Sequence, residues 1–118
     1  MRSVRLSTGD LDVVRDFVDV RDVVSAYEAM LYGAPVGSVF NVCSGRGMRL
    51  AEAIQQLSNI SGVAVHTELD QLLVRPVENT VVVGSHQAIT SALGWQPVIF
   101  FEQSLKDLLE YWIDILRS

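Results

Sequence analysis

The sequence predicts a single α/β domain of mixed α+β type, in which short strands alternate with amphipathic helices. The spacing of apolar residues switches several times between a period of two and a period of about 3.6, as expected where strands and helices alternate. No repeat, low-complexity tract or Pro/Ser-rich linker interrupts the 118 residues. Because 49% of the residues are hydrophobic, we expect one domain over residues 1–118 with a substantial buried core.

The first part of the chain predicts two strands followed by a helix. The first strand is SVRLS at 3–7, which leads into a turn at TGD, and a second alternating stretch runs from Val14 to Val20. The period becomes helical at Asp19, the expected N-cap, and Asp22 at the third helical position suggests a variant of the capping box. We expect the helix to end at Gly33. Its predicted buried face consists of Val20, Val23, Val24, Tyr27, Met30 and Leu31.

The middle of the chain predicts a strand, a helix and another strand. SVFNVCSGRGM at 38–48 begins as a compact apolar strand and ends in glycines. A helix is expected from about Met48 to Ile60, ended by Gly62. VAVHTEL at 63–69 has the period of two that is typical of a strand. The residues of the helix that are expected to face inward are Leu50, Ala53, Ile54 and Leu57.

The last part predicts a loop, a strand and two helices. DQLLVRPVENT at 70–80 is a loop, and VVVGS at 81–85 is a short buried strand. SHQAITSALGW is a short helix capped by Ser85 and ended by Gly94. The closing helix, from about Phe101 to Leu116, has the strongest amphipathic pattern of the chain. Its predicted inner face consists of Leu105, Leu108, Leu109, Trp112 and Leu116.

Charge and cysteine content exclude several classes of protein. The net charge is −5, and no cluster of lysines or arginines is present to displace the counterions of a nucleic acid. Cys43 is the only cysteine, so a disulfide scaffold is excluded. No stretch reaches the roughly 18 apolar residues of a membrane span, and the N-terminus lacks an apolar signal core. We therefore expect a cytoplasmic protein without a nucleic-acid or membrane partner.

The stretch CSGRGM is the first candidate for ligand chemistry. Gly45 and Gly47 lie between a predicted strand and a predicted helix, as in a dinucleotide-binding fingerprint, but Leu50 occupies the third glycine position. A plain connection is favoured. The alternative, a nucleotide held by residues 44–47, requires exposed backbone N–H groups at the start of a helix.

The histidines, the cysteine and the tryptophans give weaker signals. His66 and His86 have no partner at metal-ligand spacing, so no metal site is predicted. Cys43 ends an apolar strand and is predicted to be structural rather than nucleophilic. Trp112 belongs to a helical apolar stripe and is predicted to be core, whereas Trp95 remains ambiguous.

The loop LLVRPVENT places an arginine and a glutamate on a stiff backbone. Pro76 disfavours helix at Arg75, and Glu78 follows three residues after that arginine. A guanidinium can bind two phosphate oxygens, and a carboxylate accepts hydrogen bonds from ribose hydroxyls. From these residues alone, a surface ion pair between Arg75 and Glu78 is the favoured interpretation, and ligand binding is the alternative.

Two motifs, RDFVDVRDVVSAY from Arg15 and RPVE from Arg75, carry a resemblance to a known family. With FNVCSG between them and SLKDLLEYW at the end, the order of motifs resembles the C-terminal portion of extended short-chain dehydrogenase/reductases. More specifically, it resembles the NAD-dependent epimerase/dehydratase family, which acts on nucleotide sugars. RDFVDVRD with FNVCSG is most similar to the GDP-mannose 4,6-dehydratase and GDP-4-keto-6-deoxymannose reductase branch.

The resemblance implies specific roles for three residues. It assigns Arg15 and Arg75 to the diphosphate of a GDP-sugar, and Glu78 to the ribose of the nucleotide. Two guanidinium groups suit a ligand that carries about two negative charges. The fold implied is the small substrate-binding domain, without the Rossmann domain that binds NAD(P) in the family.

The sequence also departs from the family pattern. The glycine fingerprint of the cofactor half is absent, and so is the catalytic Tyr-x-x-x-Lys couple. Lys106 is the only lysine, and Glu102 occupies the position four residues before it. We therefore expect a substrate-binding fragment that binds no cofactor by itself, is not catalytically competent alone and has a separate Rossmann half as a possible partner.

The alternative to ligand binding is a structural or interaction module. Helix 20–33 and the strand at 39–42 would pack on the cofactor half in the complete family fold. Without that cover, their apolar surfaces predict a homo-oligomer.

Overall fold

The computed structural model of the chain describes residues 2–76 and 79–117, and it confirms the mixed α/β class. The strands in this part of the chain are β1 (Ser3–Thr8), β2 (Val14–Asp16), β3 (Gly47–Arg49), β4 (Ala64–Leu69) and β5 (Val81–Val82). The helices are α1 (Val20–Gly33), α2 (Leu50–Ser61), α3 (Gln87–Leu93) and α4 (Phe101–Arg117), with a 3₁₀ turn at Gln71–Leu73. None of the described helices has the length and apolar character needed to cross a bilayer.

The strands form two separate small sheets. β1 and β4 pair in parallel, from Ser3 opposite Ala64 to Thr8 opposite Leu69. β2 is the central strand of the second sheet, antiparallel to β3 and parallel to β5. The short strand β2 therefore lies between β3, which follows the glycine turn, and β5.

The predicted helix ends are largely confirmed. Asp19 is the N-cap of α1, and its carboxylate accepts a hydrogen bond from the Arg21 backbone N–H at 2.8 Å. Gly62 and Gly94 end α2 and α3 with φ of 71° and 73°, in the left-handed region that favours glycine. At α3 the N-cap is His86 rather than Ser85, although the Ser85 hydroxyl accepts from the Gln87 N–H at 3.3 Å.

The expected capping box at α1 is wrong, because Asp22 has a different role. Only 2% of Asp22 is exposed, and its carboxylate accepts from the backbone N–H groups of Val98 and Ile99 at 3.2 and 3.0 Å. The side chain therefore anchors α1 to the segment that leads into α4. The face of α1 that carries Asp22 therefore lies inward, where the carboxylate satisfies backbone N–H groups that have no partner in a helix or strand.

The core of the described residues is smaller than the composition predicted. Its main cluster consists of Ala26, Ile89 and Trp95, with Met30, Phe40, Val42 and Leu93 packed against them, and Val13 and Cys43 are buried as well. The Trp95 indole N–H donates to the Asp22 carbonyl at 3.1 Å and to the Ser25 hydroxyl at 2.9 Å. The ambiguous Trp95 is thus a core residue. The radius of gyration is 17.2 Å, against roughly 13.5 Å for a compact domain of this length.

Three strand predictions need correction. The strand expected from Val14 to Val20 ends at Asp16. Residues 38–46 form no strand, and the strand of this region is β3, which follows the glycine turn. β5 is present but not buried, with Val81 61% and Val82 48% exposed. An apolar run becomes a strand only where a partner edge is available, and the described residues offer none beside 38–43.

The predicted helix faces were only partly right. On α2, all four residues expected inward are half-buried. On α4, Leu105 and Leu109 are half-buried, but Leu108, Trp112 and Leu116 are exposed, so the core prediction for Trp112 is wrong. Four residues of the α1 stripe are also exposed, namely Val20, Val24, Tyr27 and Leu31. These helices are amphipathic, yet the described chain covers only one side of each.

Candidate functional site

Arg15 lies on the central strand β2 and reaches the end of the loop that carries Arg75. Its guanidinium donates to the Asn79 and Thr80 carbonyls at 3.3 and 3.4 Å, and to the Val14 carbonyl at 2.8 Å. Pairing of Val14 with Val81 in the parallel ladder holds the two segments side by side. The side chain is half-buried, and its contacts are with neutral carbonyl groups.

Arg75 is exposed and follows the 3₁₀ turn in irregular backbone, as Pro76 predicts. Glu78, the third predicted site residue, lies outside the described residues, so the proposed ion pair with Arg75 stays a prediction. Among residues 2–76 and 79–117, no carboxylate forms an ion pair with Arg15 or Arg75. Arg15 on β2 and Arg75 in the loop beside it therefore each carry a positive charge that no described carboxylate neutralises.

The glycine turn at residues 44–47 is occupied by the protein's own carboxylate. Asp16 accepts from the backbone N–H groups of Ser44 at 2.8 Å and Gly45 at 2.9 Å. The Arg46 N–H is bound to the Ser44 hydroxyl at 3.1 Å. The alternative in which this turn binds a nucleotide phosphate is therefore wrong, because it requires free N–H groups.

Asp16 is the site residue that sequence analysis missed. Alternation placed it on the face of β2 opposite Arg15 but gave it no partner. The available signals were an aspartate on a predicted strand and a glycine turn, whose backbone N–H groups commonly bind anions. Its partners come from distant segments, so spacing along the chain did not reveal them.

A cleft of about 320 Å³ lies beside the glycine turn. Its lining includes Phe17, Arg46, His86, Phe100 and Glu102, and the Arg46 guanidinium lies 4.6 Å from the centre of the Phe100 ring. His86 Nδ1 lies 2.7 Å from the Thr90 hydroxyl oxygen. The cleft thus combines aromatic surface with charges of both signs.

Cys43 is buried, as expected of a structural cysteine. Burial raises the pKa of the Cys43 thiol, and the nearby charge of Asp16 raises it further, so the thiolate is disfavoured. His66 lies exposed on β4. In the described part of the chain, no three His, Cys, Asp or Glu side chains are grouped closely enough to hold a metal ion.

The comparisons with known proteins decide the family. Residues 2–108 match the family described as GDP-mannose 4,6 dehydratase. The chain belongs to this family. It is 40% identical over 118 residues to GDP-6-deoxy-D-mannose reductase of Pseudomonas aeruginosa. The aligned region covers 100% of this chain and 39% of that protein.

Solved structures of related proteins share the fold of this dehydratase-family chain. RMD from Pseudomonas aeruginosa, solved in complex with NADPH, has a TM-score of 0.88 and 41% identity over 94% of this chain and 36% of that chain. UDP-glucose 4-epimerase of Thermotoga maritima, solved with UDP-glucose, has a TM-score of 0.84 and 28% identity. That match covers 97% of this chain and 36% of the epimerase chain. The chain thus spans less than two-fifths of the length of these relatives, and it has the fold of part of an extended short-chain dehydrogenase/reductase.

The glycine turn at residues 44–47 does not fit the pyrophosphate of a dinucleotide such as the NADPH in the RMD structure. This turn, which precedes β3, is the segment that resembles a dinucleotide fingerprint, and Asp16 already accepts from its Ser44 and Gly45 amides. A carboxylate at that position would also repel a pyrophosphate. We therefore assign no step of a reaction to a cofactor on this chain.

Proposed function

We propose that this chain is the nucleotide-sugar-binding portion of a GDP-sugar dehydratase or reductase. In this proposal Arg15 and Arg75 bind the diphosphate, and Glu78 accepts hydrogen bonds from the ribose hydroxyls. The observation that carries the proposal is that the Arg15 guanidinium lies against Asn79 and Thr80, at the end of the loop that contains Arg75.

The electrostatics of the two arginines support a diphosphate ligand. Neither guanidinium pairs with a carboxylate of residues 2–76 or 79–117. Arg21, in contrast, is paired with Asp19 and Asp107, both at 2.9 Å. Charge-assisted bonds from two guanidinium groups would neutralise a diphosphate, whereas one group would leave it half paired.

The proposed reaction chemistry lies outside this chain. Its sequence contains no Tyr-x-x-x-Lys couple, since Lys106 is the only lysine and Glu102 precedes it by four. In this proposal a separate cofactor-binding half of the family fold supplies the base and the NAD(P), and the chain alone is not catalytically competent. The contribution of this chain is to bind and orient the nucleotide.

Isothermal titration of GDP-mannose into the purified chain tests the proposal. We expect measurable binding, and Arg75→Ala is expected to weaken it about tenfold, because one charge-assisted bidentate contact is lost. Arg15→Ala is expected to have an effect of similar size.

Arg5→Ala is the matched control. Arg5 is an exposed arginine on β1 that pairs with Glu68 at 3.4 Å, so its replacement changes the net charge equally without touching the proposed site. Affinity that is unchanged in Arg75→Ala and Arg15→Ala, or equally reduced in Arg5→Ala, would contradict the assignment.

A second candidate function is self-association, which the exposed stripe of α1 favours. Val20, Val24, Tyr27 and Leu31 are 58 to 85% exposed on one helix. Patches of this kind mark interaction surfaces in proteins. We propose that the chain either docks this helix on a cofactor-binding half or pairs it with a second copy.

A further inference from the structure

The carboxylate of Asp16 gathers four hydrogen-bond donors from two distant parts of the chain. Oδ1 accepts from the Ser44 N–H at 2.8 Å and the Ser44 hydroxyl at 2.6 Å. Oδ2 accepts from the Gly45 N–H at 2.9 Å and the Gly84 N–H at 3.2 Å. One side chain on β2 thus fixes both the glycine turn before β3 and Gly84, two residues after the end of β5.

Hydrogen bonds alone stabilise the charge of Asp16 in the described structure. No arginine, lysine or histidine of residues 2–76 and 79–117 forms an ion pair with it. Burial alone would raise the pKa of Asp16, but the bonds from Ser44, Gly45 and Gly84 outweigh burial, and the pKa lies below its usual value. The carboxylate is therefore ionised at neutral pH, when each of its bonds is strongest.

Two glycines make this arrangement possible. Gly45, whose N–H donates to the carboxylate, has φ of 76°, a left-handed conformation that glycine adopts at no steric cost. A Cβ at Gly84 would lie 2.7 Å from the Cys43 sulfur, so only glycine allows the backbone to approach here. Gly45 and Gly84 are thus required by the hydrogen bonds to Asp16 and by close backbone packing, and not by a nucleotide phosphate.

Arg15 and Asp16 hold β5 at its two ends. The Arg15 guanidinium binds the carbonyls of residues 79 and 80 just before the strand, and Asp16 binds the Gly84 N–H just after it. β5 itself is only two residues long, and both of its valines are about half exposed or more. Polar contacts, rather than apolar packing, therefore keep this strand and residues 79–80 before it in place.

From this geometry we infer that Asp16 is a positioning residue, which orients the loop carrying Arg75 relative to Arg15. It touches no ligand itself. The effect on ligand binding rests on the proposed function, whereas the effect on β5 does not. The two consequences can be measured separately.

Hydrogen–deuterium exchange of Asp16→Asn tests the positioning role without a ligand. We expect the amides of residues 44–45 and 81–84 to exchange about tenfold faster, with β1 and β4 unchanged. The control Asp114→Asn removes the same charge from an exposed position on α4 and should leave both regions as they are. If residues 81–84 keep their protection, or if β1 and β4 lose theirs equally, the inference is overturned.

A second variant covers the case in which Asp16→Asn does not fold. Ser44→Ala removes the hydroxyl contacts to Oδ1 and to the Arg46 backbone, and it keeps the backbone donors to Asp16. It should speed exchange at residues 81–84 about threefold, and unchanged exchange there would count against the role of Asp16.

Titration of GDP-mannose then measures the consequence for binding. Affinity should fall about fivefold in Asp16→Asn and stay unchanged in Asp114→Asn. If the wild-type chain does not bind GDP-mannose, the proposed function fails, while the exchange experiment still decides whether Asp16 positions β5. If the wild type binds and Asp16→Asn binds equally well, the positioning role for the site is refuted.

Discussion

At the scale of single residues, aspartate side chains accept many of the hydrogen bonds that join distant segments of this chain. Asp19 caps α1 and receives two further hydrogen bonds from the Arg21 side chain, both at 2.9 Å. Arg21 extends this contact to Asp107 on α4, so that one guanidinium joins two helices. The sequence correctly predicted Asp19 as a cap. The link to Asp107 could not be predicted, because 86 residues separate the partners.

The acid sensitivity of folding should depend on Asp19. Hydrogen bonds from Arg21 hold the pKa of Asp19 well below its usual value of 3.8, against the opposing effect of burial. A carboxyl with a lower pKa in the folded state contributes stability above pH 3.8, and this contribution is lost as the pH falls through and below that value. We expect Asp19→Asn, which keeps a capping side chain, to be less stable at pH 7 and to lose less stability on acidification.

Urea unfolding between pH 7 and pH 3 measures this prediction. The free energy of unfolding should fall more steeply with decreasing pH in the wild type than in Asp19→Asn. Asp114→Asn should show the same slope as the wild type. Some slope will remain in Asp19→Asn, because the pKa values of Asp16 and Asp107 are also lowered. Equal slopes in the wild type and Asp19→Asn would contradict the assignment.

At the scale of elements, α1 is fixed at its buried face by a polar contact as well as by packing. Ala26 packs with Ile89 and Trp95, while the Asp22 carboxylate binds the amides of Val98 and Ile99. Those amides belong to the segment between α3 and α4, which has no regular structure to pair them. Asp22 therefore defines how α1 meets the chain that enters α4.

Replacement of Asp22 by alanine should strongly destabilise the fold. Two backbone N–H groups would lose their acceptor, at a cost of up to about 1–3 kcal/mol for each group that stays unpaired and away from water. We expect a loss of about 2–3 kcal/mol in the free energy of unfolding, measured by urea denaturation at pH 7. Asp114→Ala, at an exposed position of α4, should cost less than about 0.5 kcal/mol. A loss below 1 kcal/mol in Asp22→Ala would show that the contact is dispensable.

At the scale of the whole molecule, the described chain is flat and has a small core. Its extents are 51 × 40 × 19 Å, and the two sheets are separate. Large apolar residues remain exposed on α1, on α4 and in the extended segment around Val39, which is 90% exposed. A surface of this kind favours burial against another protein surface.

Removal of apolar surface from α1 should reduce self-association. Size-exclusion chromatography with light scattering should show the wild-type chain as a dimer or larger, and the double variant Val24→Glu/Leu31→Glu should shift toward monomer. Leu72→Glu places a charge at a residue that is 93% exposed in the 3₁₀ turn, and it should not change the mass. A wild type that stays monomeric at high concentration would exclude self-association through α1.

The sequence by itself determined the elements whose cause is local. Caps and left-handed glycines fixed the start of α1 and the ends of α2 and α3, and alternation fixed β1 and β4. The order of motifs also predicted the family to which the chain belongs. These features depend on neighbours within a few residues, or on residue types that can be compared directly.

Only the tertiary structure decided where burial and polar partners fall. Apolar period alone could not show that residues 38–43 lack a pairing strand, or that Trp112 lies outside the core while Trp95 lies within it. It also could not show that Asp16 occupies the glycine turn that resembled a phosphate site. The physical reason is that burial and hydrogen bonding depend on which distant segments meet, and the spacing of residues along the chain does not specify those meetings.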